Sequence, residues 1–339
     1  MTKMMAAQAT KAGAPFDLVE REIPSPGPGW VRVRVLACGV CHSDVLTREG
    51  MFPGIQLPRV PGHEVAGIVD EPGPGVEDWP RGQRVGIGWH GGHCTRCLPC
   101  RRGDFVNCQR LKITGISYDG GYAQYMVAPV EALARISDDI SAEEAAPLLC
   151  AGITTFNALR RSGVMPGELV AVQGVGGLGH LGIQFARKAG MQVVAIGRGP
   201  ENEALAIRLG ASRYLDSNSV QVAQELAKMG GARVILTTVT SGKAMSAVVD
   251  GLAPNGSLLI VGAPPDPVEV NSLQLIFGRR DIKGWASGTP TDSEDTVRFA
   301  ALNQVRPMIE TFPLEKVNPA YERMMSGKAQ FRVVLTMPS

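Results

Sequence analysis

Four cysteines stand in the run GGHCTRCLPCRRGDFVNC: Cys94, Cys97, Cys100 and Cys108, spaced Cys-x2-Cys-x2-Cys-x7-Cys. A tetrahedral metal needs four soft donors about 2.3 Å from one centre, and short Cys-x2-Cys steps deliver two of them from one tight turn. Gly103 and Asp104 let the chain swing back with the fourth. Four thiolates around Zn2+ leave an excess of negative charge, and Arg96, Arg101 and Arg102 lie in the same loop to offset it. The pattern predicts a closed, structural zinc site. Free or disulfide-bonded cysteines are the alternative, and metal spacing without an export signal speaks against them.

A second set of metal-type residues is scattered. Cys41-His42-Ser43-Asp44 follows a strand-like run, Gly62-His63-Glu64 comes some twenty residues later, and Cys150 stands alone in PLLCAGITT. Two thiolates and one imidazole would give a three-ligand zinc with an open fourth position. With no net charge on such a site, a bound alcohol would give up its proton readily and still release hydride. Cys38 also forms Cys-x2-Cys with Cys41, a spacing shared with redox pairs. A buried strand residue is the preferred reading of Cys38, because Cys41 has a better use.

The third constellation is Gly174-Val175-Gly176-Gly177-Leu178-Gly179, in which Gly174, Gly176 and Gly179 fill G-x-G-x-x-G. It follows a strand-like run and opens a helical one, the context that makes this pattern informative. The first glycine permits the turn, the second admits a pyrophosphate to the backbone, and the third lets helix and strand pack closely. An acidic residue some 20 positions on would hold the ribose of NAD. Here the run MQVVAI ends instead in Gly197-Arg198-Gly199. Glycine leaves room for a 2′-phosphate and arginine can pair with one, so NADP(H) is expected over NAD(H). The alternative makes Arg198 a solvated turn residue in a protein that accepts either cofactor.

The elements that position these residues fall into two textures. Up to about residue 150 the chain is β-rich: VRVRVLA (31–37) alternates in period two, and EVAGIVDEPGPG, QRVGIG and GYAQYMVAP are short strand-like runs between Gly and Pro. From about 165 strands and helices alternate. ELVAVQG, MQVVAIG, RVILTTV and SLLIVGA read as strands; EALAIRLGA and AMSAVVDGL read as helices. That alternation predicts an α/β chain with a doubly wound parallel sheet. The final run FRVVLTM (331–337) reads as a strand again. The expected division is a β-rich domain over 1–151 and 288–339, with the four-cysteine lobe at about 90–110, and a dinucleotide-binding domain over 152–287.

At 339 residues the chain is too long for one ordinary core. Its 34 basic and 32 acidic residues nearly balance and form no long basic block, so nucleic acid is not an expected partner. The start, MTKMMAAQATKAGAPF, has no apolar core of signal-peptide length, and runs such as AAPLLCAGITTF are too short to span a bilayer. No membrane association is expected, and seven cysteines without an export signal suggest a reducing cytoplasm.

Together, CGVCHSD, PGHE, the four-cysteine lobe, the lone Cys150 and GVGGLGHLGIQFA resemble the zinc-dependent medium-chain alcohol dehydrogenases, in order and spacing and over essentially the whole chain. The resemblance implies a GroES-like catalytic domain with a Rossmann cofactor domain, and two zinc ions per chain. It implies that Cys41, His63 and Cys150 bind the catalytic zinc, and that Glu64 lies behind it and exchanges with the substrate position. Asp44 would orient His63, and Ser43 would take the alcohol proton. His42 and Arg332 would contact the cofactor pyrophosphate, and Thr154 and Leu178 would press on the nicotinamide. Trp89 would narrow the substrate pocket, with Met51, Phe52 and Tyr118 at its outer end and the small Ala263 leaving room by the nicotinamide. One departure concerns Leu46, where many members carry a histidine as the outer end of the proton relay. The implied partner is a small primary alcohol or aldehyde, and the implied assembly is a homotetramer or a homodimer. Two rival readings are a non-enzymatic nucleotide or redox sensor stapled by zinc, and a zinc-free quinone reductase of the same superfamily. Cys41, His63 and Cys150 together weigh against both.

Overall fold

A computed structural model describes residues 3–338. The chain divides into two compact units: one runs to Ile153 and resumes at Gly288, and the other is Thr154–Ser287.

The first unit is built on a seven-stranded sheet around the long strand Trp30–Val40. Val31, Val33 and Val35 are buried while Arg32 and Arg34 are half-buried, as the period-two alternation requires. Each such valine contributes about 1.5 kcal/mol or more of hydrophobic stabilisation. The strand pairs antiparallel with Val65–Pro72, with Tyr125–Pro129 and with the closing strand Arg332–Thr336. The register sets Cys38 opposite Val65 and Val40 opposite Val333. Three strand ends therefore meet at one end of the sheet: Val40 leading into Cys41, Glu64 leading into Val65, and Arg332 beside Val333.

A helix brings in the fourth segment. Ala142–Pro147 is capped by Ser141 Oγ, which accepts from Glu144 N at 3.1 Å. Its small faces Ala142, Ala145 and Ala146 are buried. Pro147 carries no N–H for a regular helical bond, and the chain passes into a π-helical turn, Leu148–Gly152, that presents Cys150. Gly86 and Gly88 leave room for this turn, since a Cβ on either would run into Leu149.

The second unit has six parallel strands in the order Arg213–Asp216, Gln192–Gly197, Leu169–Gln173, Ala232–Thr237, Leu252–Ile260 and Asp281–Gly284. Counted along the chain, that is the order 3-2-1-4-5-6 of a doubly wound dinucleotide fold. Its core gathers Ala171, Val194, Ile196, Leu226, Ile235 and Leu258. The two outer strands, Arg213–Asp216 and Asp281–Gly284, are four residues each and carry charged residues. The run AMSAVVDGL is shorter in helix than expected: it divides into Gly242–Ser246 and a 3-10 turn at Val249–Gly251.

Candidate active site and metal centres

Cys41 leaves the long strand and enters a single 3-10 turn, His42–Asp44. Asp44 Oδ2 accepts the Cys41 N–H at 2.8 Å and so folds back over the start of the turn. His63 follows Gly62, which has φ +101 and leaves no room for a Cβ beside Tyr122 and Cys38. The Gly39 N–H donates to Glu64 O at 2.9 Å, which ties the two segments together just short of Cys41.

These elements gather Cys41, His63, Glu64 and Cys150, whose donor atoms all lie within 4.8 Å of one another. The Cys41 and Cys150 sulfurs are 3.9 Å apart, close to the separation of two thiolates sharing a tetrahedral zinc at about 2.3 Å. His63 is 2% exposed, and its Nδ1 meets Asp44 Oδ1 at 3.1 Å. Its Nε2 is buried with no hydrogen-bond partner, and so is Glu64 Oε2. A carboxylate on Nδ1–H fixes the tautomer that leaves Nε2 as a bare lone pair. Buried polar atoms without partners are costly, and a cation between these donors would satisfy them. The donor set fits zinc.

The electrostatics favour positive charge at the centre of the cluster, which either a proton or a metal ion on His63 Nε2 supplies. The Cys41 thiol is held well below its usual range because Cys150 donates to it and His63 adds positive charge, against the effect of burial. Burial pulls His63 down, but the charges of Asp44 and Cys41 outweigh it and raise it well above the usual imidazole value. Burial pushes the Glu64 carboxyl up to about 7, with Arg332 pulling the other way. Glu64 is paired with Arg332, which is itself 6% exposed. A Cβ at Gly39 would overlap the Glu64 carboxylate, so that glycine makes room for it.

Around this cluster the structure places some of the remaining expected residues and not others. Trp89 stands edge-on to His63, with ring centroids 5.0 Å apart. Ser43 is half-buried in the 3-10 turn, and its hydroxyl makes no hydrogen bond among the described residues. Leu46 is half-buried and His42 exposed. Phe52 is half-buried and Met51 is exposed. The Tyr118 hydroxyl bonds Thr114 at 3.1 Å, and its ring stands edge-on to Trp30. Arg332, expected to reach the pyrophosphate, is engaged with Glu64. Cys38 is fully buried in the strand, and burial raises its thiol well above the usual value, so it is an inert core residue.

The four-cysteine lobe also assembles. The donor atoms of Cys94, Cys97, Cys100 and Cys108 lie within 4.8 Å of one another, and no cysteine is in a disulfide. Backbone N–H groups approach the sulfurs: Cys94 N reaches Cys108 Sγ at 3.3 Å, Cys97 N reaches Cys94 Sγ at 3.4 Å and Arg110 N reaches Cys108 Sγ at 3.3 Å. Arg96, Arg101 and Arg102, expected to offset the charge, are exposed. Next to the lobe His90 Nε2 lies 3.0 Å from His93 Nδ1, and burial together with His93 pushes His90 down to about 4.

In the second unit the glycine turn has distinct reasons for each glycine. Gly174 has φ +98, and a Cβ on Gly179 would strike Gly174 O. Gly176 has neither need, for a Cβ there would meet nothing within 4 Å. That opening lies just ahead of the ten-residue helix Gly179–Lys188, whose N–H groups favour an anion. The residues fit a dinucleotide pyrophosphate. Gly177 and Leu178 are half-buried, Thr154 is buried and Ala263 is exposed.

Gly197 ends the second strand but does not border empty space. A Cβ there would run into Tyr214, whose hydroxyl donates to Gly199 O at 2.7 Å. Asp216, on the neighbouring strand, accepts from Gly199 N at 2.8 Å and Asn218 N at 2.9 Å. Arg198 is exposed.

The domain family described as "Alcohol dehydrogenase GroES-like domain" matches residues 27–138, and the one described as "Zinc-binding dehydrogenase" matches residues 177–301. Alcohol dehydrogenase notN of Aspergillus sp. (strain MF297-2) is 42% identical over 96% of this chain and 95% of its own. An alcohol dehydrogenase of Geobacillus stearothermophilus is 38% identical over 98% of this chain and 99% of its own. Among solved structures, a cinnamyl alcohol dehydrogenase of Sorghum bicolor superposes with a TM-score of 0.89 at 30% identity, covering 99% of this chain and 98% of that one.

Proposed function

The chain belongs to the zinc-dependent medium-chain alcohol dehydrogenase family and is an alcohol dehydrogenase; from that premise we propose that it moves hydride between small primary alcohols or aldehydes and NADP(H). The observation that carries the reading is the bare, buried Nε2 of His63 beside two thiols 3.9 Å apart. Cys41, His63 and Cys150 would hold a catalytic zinc, and Cys94, Cys97, Cys100 and Cys108 a structural one. Zinc with an open position supplies a Lewis acid that makes a coordinated alcohol more acidic.

The chain's own residues do the rest. Asp44 holds His63 in one tautomer and one orientation. Ser43, one residue on from His42 in the same turn, takes the alcohol proton through its uncommitted hydroxyl. Leu46 stands where a relay histidine would be, so the chain offers no imidazole at that position, and beyond Ser43 a bound cofactor's ribose or water would have to carry the proton. Trp89, against the His63 ring, favours narrow primary alcohols over bulky secondary ones. Phe52 would close the outer end of the same pocket.

The opening at Gly176 and the following helix receive the pyrophosphate. A preference for NADP(H) is supported by the lack of a carboxylate at position 197 and by the exposed Arg198. Tyr214 and Asp216 crowd the same strand ends, so we expect a preference on the order of 10-fold, not exclusivity. We place the enzyme in the cytoplasm as a homo-oligomer, a tetramer or a dimer.

The test is steady-state kinetics with a panel of alcohols and aldehydes and both cofactors, read by the absorbance of the reduced nicotinamide, beside metal analysis. Turnover of primary alcohols and about two zinc ions per chain is the expected result. Nucleotide binding without any alcohol-dependent reduction would return the chain to the sensor reading.

A further inference from the structure

Tyr122 lies behind both halves of the candidate zinc site. It is fully buried, and its ring stands edge-on to Phe16 at 5.9 Å. The segment around it clamps the chain that leads to His63: Gly120 N donates to Val60 O at 2.8 Å, Gly121 N to Gly62 O at 2.9 Å and Tyr122 N to Pro61 O at 3.1 Å. The ring itself covers Gly62, the residue before His63. The hydroxyl donates to Asp44 Oδ2 at 2.8 Å.

Asp44 is thereby divided between two tasks. Its Oδ2 takes the Tyr122 hydroxyl and the Cys41 N–H, both at 2.8 Å. Its Oδ1 is left for His63 Nδ1 at 3.1 Å. With one oxygen fastened by two donors, the carboxylate cannot rotate away from the imidazole. Asp44 is 2% exposed, so no bulk water stands ready to replace a lost donor.

We propose that Tyr122 is a positioning residue for the metal-binding imidazole: by holding Asp44 it keeps His63 Nδ1–H donating and His63 Nε2 bare toward Cys41 and Cys150. This rests on the reading of Cys41, His63 and Cys150 as a zinc site. Partners behind a ligating histidine typically change metal affinity by about 10–100-fold when removed. Asp44 keeps the Cys41 N–H in Tyr122→Phe, so the lower end, about 10-fold, is expected.

The experiment uses the full-length, metal-replete protein. Zinc release to an excess of chelator is followed in wild type and Tyr122→Phe, and the ligand-field absorption of cobalt-substituted protein is recorded for both. Tyr122→Phe keeps the ring and its packing on Phe16 and Gly62, and its thermal midpoint is measured as a check. The expected result is about 10-fold faster loss of one metal, unchanged loss of the other, and a shifted cobalt spectrum for the site that loses it. Indistinguishable release and spectra would overturn the inference while leaving the zinc site intact. Equal acceleration at both sites would overturn it too, because a general loosening of the fold would then be the cause. A wild type that binds metal only at the four-cysteine lobe would overturn the zinc-site reading itself, and this inference with it.

Discussion

Arg332→Met tests the buried pair behind the metal cluster. Glu64 is 0% exposed and Arg332 is 6% exposed. Burial pushes the Glu64 carboxyl from 4.5 to about 7 even though the Arg332 charge opposes the rise. At about 1.4 kcal/mol per unit, that rise corresponds to roughly 3 kcal/mol against keeping Glu64 charged inside the fold. Removing the arginine takes away the one partner of Oε1, while Oε2 already has none. Breaking a buried pair from one side costs about 3–5 kcal/mol, and Arg332→Met should lie in that range. The pH dependence has a definite sign. Glu64 has a folded value above its unfolded one, so its contribution is complete below about pH 4.5 and is lost as pH rises through about 7. Wild type should level off above that point. Arg332→Met, with the carboxyl raised further, should keep losing stability at up to about 1.4 kcal/mol per pH unit. Adding Glu64→Gln should recover a large part of the loss and flatten the pH dependence. The assay is denaturant unfolding at several pH values, for both single variants and the double variant, of protein whose four-cysteine lobe is loaded while the cluster of Cys41, His63, Glu64 and Cys150 is kept free of metal. A wild-type midpoint for Arg332→Met, or a double variant no better than the single, would refute the buried-pair argument and leave Arg332 to the cofactor.

The remaining expectations separate the parts of the machinery. Cys150→Ser should keep the fold, lose turnover and retain one zinc, whereas Cys100→Ser should lower the melting temperature and promote aggregation, since thiolate sites of this kind contribute folding energy directly; full activity in Cys150→Ser would sink the two-site reading. Ser43→Ala should lose about 10²–10⁴-fold in kcat with zinc and cofactor still bound, and Ser43→Thr should keep much of it. Wild-type turnover in Ser43→Ala would remove Ser43 from the proton path. Arg198→Ala should weaken NADP(H) by about 10-fold and leave NAD(H) nearly unchanged, and a higher kcat/KM for NAD(H) in the wild type would make Arg198 a surface residue.

Much of this was legible in the sequence because the informative residues repeat at short, chemically meaningful intervals. The four-cysteine spacing gave the lobe, the strand–glycine–helix context gave the dinucleotide fold, and VRVRVLA declared a half-buried strand. The alternating strands and helices of the second unit appear with their expected identities, although the four-residue outer strands did not stand out, being too short and too charged to show an apolar run. The order of the strands in the sheet came only from the structure. Other misses share a different cause. Arg332 lies 268 residues from its partner Glu64, and Tyr122 lies 78 from Asp44. No local pattern connects such pairs. Gly197 shows the same limit from another side. The sequence reads its missing side chain as space for a ligand, whereas the structure fills the space beside it with Tyr214 from the next strand. At Gly176 the same reading agrees with the structure, because a Cβ added there would meet nothing within 4 Å.

What joins the distant pairs is sheet register. Cys38 lies opposite Val65 and Val40 opposite Val333, so the same alignment that buries Val31, Val33 and Val35 carries Cys41 to His63 and Glu64 to Arg332. Side chains alternate faces along a strand, so a slip of one residue would turn the three valines outward together. At about 1.5–3 kcal/mol for each, that slip would cost most of the stability a domain has to spare. The strand also holds two register shifts, between Arg32 and Val33 and between Val35 and Ala37. Their placement decides which face Cys38 and Gly39 present: Cys38 goes into the core, and Gly39 makes room for the Glu64 carboxylate. Cys41, His63 and Glu64 therefore need no separate device to find one another, whereas Cys150 joins them from the π-helical turn Leu148–Gly152. The hydrophobic core of the first unit selects one register, and that register brings the three strand-end residues together.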